Sequence, residues 1–148
     1  MKYVARMATL GILLLALLGG CKEQPSSFEV ASVTSPNGSL EAVLTETNGG
    51  ATTSFGYEIS VGTKGAKKLD RVASLYGAIR NEQAYGVNLR WVNDHTLQIQ
   101  YLQAKAVQNV SQTVNVAGQQ IAIELQSGVE DPMAPSGGMH YNLTKRDH

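Results

Sequence analysis

A single cysteine stands in the 148 residues of this chain. An internal disulfide and a multi-cysteine metal cluster are therefore both excluded. Aromatic residues make up 6% of the chain, with one tryptophan and two phenylalanines. Neither sign of charge is in excess: 12 Lys and Arg face 12 Asp and Glu. That balance excludes broad electrostatic attraction to a polyanion, so no nucleic-acid partner is expected. Charged residues amount to only 16%, yet 43% of the chain is hydrophobic, an apolar share that argues for a folded core and not for wholesale disorder. The length suits one domain. The one continuous apolar run, Ala8 to Leu18, falls short of the roughly 20 residues that a bilayer-spanning helix needs.

That run has neighbours that explain it. Lys2 and Arg6 precede it, and Gly19, Gly20 and Cys21 follow. A short positive start, an apolar stretch and small residues form the layout of a secretory signal peptide, here residues 1–20. Leu18-Gly19-Gly20-Cys21 resembles the lipobox of bacterial lipoproteins. The resemblance implies that the Cys21 thiol receives a diacylglyceryl group, that cleavage falls before it, and that the new amine is acylated. Two or more chains anchor firmly where one binds marginally, so the lipid bilayer is the first expected partner. Lys22 follows the cysteine, where lipoproteins kept in the inner membrane carry Asp. The resemblance therefore implies the outer membrane, facing the periplasm. Loss of Lys2 and Arg6 leaves a slightly acidic mature chain. Residues 21–27, with Pro25, Ser26 and Ser27, read as a short lipidated tether.

From Phe28 to residue 126 the apolar residues recur with period two. Phe28, Val30 and Val33 mark a first strand, and Ser35-Pro36-Asn37-Gly38 a turn. Leu40, Ala42 and Leu44 alternate along a second strand, which Asn48-Gly49-Gly50 ends. Tyr57, Ile59 and Val61 alternate along a third. Val87, Leu89 and Trp91 point one way in a hairpin with Leu97, Ile99 and Tyr101, across the turn Asn93-Asp94-His95. Val114 and Val116, the turn at Ala117-Gly118-Gln119, and Ile121, Ile123 and Leu125 suggest a last pair. Between them, residues 67–84 fit either short strands or one short helix carrying Leu69, Val72, Leu75, Tyr76 and Ile79 on a face. The sum is a mainly β domain, an antiparallel sheet, sandwich or open barrel of six to seven strands with at most one short helix. Residues 127–148, with two prolines and Gly137-Gly138, read as a flexible C-terminal tail.

The order Ser35-Pro36-Asn37-Gly38, then Gly50-Ala51-Thr52-Thr53, then Trp91 and Leu97-Gln98-Ile99-Gln100-Tyr101 resembles a family of small bacterial proteins of unknown function. The resemblance spans about residues 33–102. It implies a β fold and no particular chemistry, and Gly49 stands where that family's pattern has a cysteine.

Candidate chemistry is sparse. Gly50, Thr52, Thr53 and Ser54 offer amides and hydroxyls in one loop, which suits a small polar ligand. No P-loop ending follows it, and the competing reading is a loop that satisfies its own backbone. Asp94 and His95 are adjacent in a turn, an arrangement more often structural than catalytic. Lys64, Lys67, Lys68 and Arg71 form a small basic cluster that fits a solvated turn better than a lipid headgroup site. Trp91 alternates inward and reads as core. No catalytic residue, metal site or cofactor is expected. The expectation for function is a membrane-anchored envelope protein whose non-catalytic domain binds a partner, such as another envelope protein. An inhibitor of an envelope-targeting enzyme is the alternative, and a hydrolase assembled from scattered residues the least favoured.

Overall fold

The computed structural model describes residues 26–136. Cys21 and the signal segment lie outside the described residues, as do His140 and His148. Eleven strands and no helix make up the described chain.

Strands β1 (Ser26–Thr34), β2 (Leu40–Asn48), β3 (Gly56–Thr63) and β4 (Asp70–Tyr76) form an antiparallel meander, which β9 (Ala106–Gln108) extends beyond β4. A second sheet has the order β10 (Thr113–Val116), β11 (Gln119–Gln126), β8 (Thr96–Gln100) and β7 (Asn88–Asn93). The short strands β5 (Ile79–Asn81) and β6 (Ala84–Tyr85) pair with each other. The sheets do not close into a barrel. The mainly β architecture follows from the alternating sequence, but strands of two or three residues raise the number above six or seven. So short a stretch carries too little periodicity to be recognised alone.

One core serves both large sheets. Leu44, Ile59 and Ala73 sit in register across β2, β3 and β4, all fully buried. Leu97, Ile99, Ile121 and Ile123 from the second sheet join the same apolar cluster. Trp91 of β7 is half-buried against it and donates its indole N–H to the Val33 carbonyl of β1 at 3.1 Å. The ring thus tethers one sheet to the other. Trp91→Ala is expected to cost about 2–3 kcal/mol, below the roughly 3–5 kcal/mol of a wholly buried aromatic ring. A urea midpoint unchanged from wild type would remove this tether from the account.

One open reading is resolved and two expectations are corrected. Residues 67–84 hold short strands, one of the two readings open for them. Val72 is an extra residue in a β-bulge, because Ala73 pairs with Ile59 while Arg71 pairs with Ser60. The bulge turns both Val72 and Ala73 inward, and so imitates the spacing of a helix face. The tether is shorter than 21–27, since Ser26 and Ser27 already pair in β1. The reading of a flexible tail from residue 127 fails for residues 127–136. Gly128 and Val129 donate to the carbonyls of Leu102 and Tyr101, the Pro135 carbonyl accepts from Val87, and Ala134 is buried.

Candidate functional site

The loop 49–54 leaves β2 at its Asn48 end and returns as β3. Gly50 has a φ of 105°, its amide donates to the Asn48 side chain, and its carbonyl accepts from both the amide and the hydroxyl of Thr53. Thr52 is exposed. The loop's first half therefore satisfies its own polar groups, leaving few amides to cradle an anion.

Ser54 behaves differently. It is buried, and three distant residues converge on it. The Lys105 ammonium donates to its Oγ at 2.6 Å, and the Tyr85 hydroxyl at 3.3 Å. Its amide donates to the Tyr76 hydroxyl oxygen at 2.9 Å. That amide, the Ser54 hydroxyl and the nearby Lys105 charge hold the Tyr76 phenol below the usual tyrosine range. Gly77 makes the approach of Lys105 feasible. Its φ is +61°, and a Cβ there would stand 2.8 Å from the Lys105 stem. A serine flanked by an ammonium and a phenol contains the elements of a nucleophilic site. Here its oxygen receives two donors in a buried position, so the arrangement immobilises Tyr76 more directly than it presents a reactive hydroxyl.

Tyr76 lies on the outer face of the five-stranded sheet, 41% exposed. Thr47, Gly56, Tyr76 and Ala106 are successive cross-strand neighbours on β2, β3, β4 and β9. The adjacent outer row is Thr45, Glu58, Ser74 and Gln108. Glu58 holds Arg71 at 2.7 Å. Two shallow depressions, of about 200 and 270 Å³, share Thr47, Gly56 and Tyr76 in their walls. The first continues over Glu58, Arg71 and Gln108, and the second over Asn48, Thr53 and Ser54. Of the four loop residues singled out in the sequence, Thr53 and Ser54 border this surface.

Beneath it, Glu46 occupies an inward position on β2 at 1% exposure and accepts from the Tyr57 hydroxyl at 2.8 Å. Burial, followed by the charge and hydrogen bond of Glu46, pushes the Tyr57 phenol well above its ordinary value. Arg80 is buried nearby, donating to the Ala134 carbonyl at 3.0 Å.

The other candidates are dispersed. Asp94 accepts the Asn37 amide at 2.7 Å, joining two turns, while His95 is exposed. Lys64, Lys67 and Lys68 are exposed. Among the described residues no three His, Cys, Asp or Glu side chains gather in a way that could hold a metal ion, and no helix is long and apolar enough to cross a membrane. Sequence reasoning missed Tyr76, Tyr85 and Lys105. Gly77 was the available signal, because a glycine ending an alternating run announces a positive φ or a close approach.

No protein-family model, curated protein or solved structure matches this chain.

Proposed function

We propose that this chain is a lipid-anchored protein of the bacterial envelope, fastened through acyl groups on Cys21 and presenting its β domain to the periplasm as a binding module. The Leu18-Gly19-Gly20-Cys21 motif carries the anchoring half of this reading. The strand β1 starts at Ser26, with only residues 22–25 separating it from Cys21. A domain on so short a connection works next to the lipid surface, since an extended chain gains only about 3.3–3.6 Å per residue. The solvent-facing Tyr76 surface supports the binding half. Its phenol is fixed by a buried serine, and a side chain ordered beforehand loses less entropy when a ligand arrives.

Radiolabelled palmitate tests the anchor. The wild-type chain should take up label in its native host and sediment with membranes. Cys21→Ser should take up none and accumulate as the larger, unprocessed precursor. A wild-type chain that stays unlabelled, or a variant that matures normally, would overturn the anchored reading.

A further inference from the structure

We infer that the Tyr76 surface is a binding site for a sugar ring, which makes the domain a glycan-binding one. The inference rests on the binding-module reading above and gives it a ligand class.

The first observation is the shape of the floor. Gly56 is the direct cross-strand partner of both Thr47 and Tyr76. A Cβ on Gly56 would stand 2.5 Å from the Thr47 hydroxyl oxygen. The missing side chain makes room for the Thr47 hydroxyl to lie over the Gly56 backbone, so the sheet face beside the Tyr76 ring carries a hydroxyl and no bulky side chain. One face of a pyranose ring is a patch of C–H groups, and its rim is a ring of hydroxyls. A tyrosine beside a shallow floor suits that patch, having an apolar body and only two rotatable bonds. Ser54 removes part of even that freedom by holding the phenol oxygen.

The second observation is the polar rim. Glu58, Arg71 and Gln108 supply a carboxylate, a guanidinium and an amide around the same depression. They offer planar acceptors and donors, which match vicinal hydroxyls in pairs. Glu58 and Arg71 neutralise each other at 2.7 Å, and the remaining charge beside Tyr76 is the Lys105 ammonium, held by the Ser54 hydroxyl. Polar groups of both kinds around an aromatic ring suit a polyhydroxylated ligand better than an apolar peptide side chain, which would need a deeper pocket.

The third observation is extent. The second depression continues past the same Tyr76 ring toward Asn48 and Thr53. One ring lying between two adjoining hollows suits a chain of sugars more than a single unit.

The full-length acylated protein in lipid nanodiscs, titrated calorimetrically with chitohexaose, maltohexaose and cellohexaose, tests this. At least one hexasaccharide should bind, and Tyr76→Ala should weaken it by about tenfold or more, as loss of an aromatic anchor does. Gln108→Ala, at an exposed position that tolerates truncation, should weaken it by about threefold with an unchanged melting temperature. Wild-type protein that binds none of the three overturns the glycan site, as does binding that both variants leave unaltered. Such a failure leaves the palmitate result untouched, whereas an unlabelled Cys21 would remove the anchor without altering sugar affinity. Capture of an envelope protein whose contact Tyr76→Ala abolishes, with no sugar bound, would also overturn the sugar assignment.

Discussion

Tyr57→Ala is expected to lower the free energy of unfolding by about 4–5 kcal/mol, which places it among the costliest single changes in this domain. Two losses combine. Tyr57 is a large, fully buried side chain at 1% exposure, and its removal opens a cavity between β2, β3 and β4. The Glu46 carboxylate, itself buried, also loses the hydroxyl that donates to it at 2.8 Å. Tyr57→Phe separates the two. It keeps the ring and removes only the donor, so about 1.5–3 kcal/mol should be lost, the range for hydrogen bonds to charged groups. Urea denaturation of both variants measures the difference. Equal losses would mean that the ring packs loosely. Alkali provides a second check. The folded-state phenol is raised above its ordinary value of 10.0. Its stabilising contribution is therefore intact below about pH 10 and is lost as pH climbs toward the folded-state value. Tyr57→Phe should lose less stability than wild type over that alkaline interval.

Ile99→Ala should cost roughly 3–4 kcal/mol. Ile99 is fully buried in β8, paired with Leu89 of β7 on one side and Leu125 of β11 on the other. A strand held on both edges cannot move inward to fill the space left by the missing atoms, so most of the cavity remains. Thermal unfolding should show one lowered, still cooperative transition. A cost below about 1 kcal/mol would mean that the second sheet does not share the core.

The long strands were legible in the sequence because each buries one face. Leu40, Ala42 and Leu44 alternate with more polar neighbours, and so do Tyr57, Ile59 and Val61; period two admits no other regular structure. The stretch 67–84 was ambiguous because a bulge at Val72 adds an inward residue and breaks that period. The β5–β6 pair was hidden by its brevity. In the candidate site, Thr53 and Ser54 were accessible to reasoning because a Gly-Gly-Ala-Thr-Thr-Ser run is locally unusual. Tyr76 and Lys105 were not, since each lies within an ordinary segment and gains meaning only when folding brings it to Ser54. Glu46 continues the inward alternation of Leu40, Ala42 and Leu44. An acidic residue at an apolar position of a strand was the signal for the buried Tyr57 partner, and local pattern alone could not supply that partner.

Most strand pairs here join antiparallel neighbours, but β8 and β11 run side by side in the same direction. Between them the chain leaves the second sheet, adds β9 to the edge of the first, and returns through β10. Such a route has high contact order: β8 waits for a partner from much further along the chain, and loop closure must precede any reward. The amino-terminal meander can assemble while β8 still has a bare hydrogen-bonding edge. The polypeptide should therefore mature slowly for its size. Truncation just before Thr113 would leave that edge permanently open, turning a folding delay into a route to aggregation.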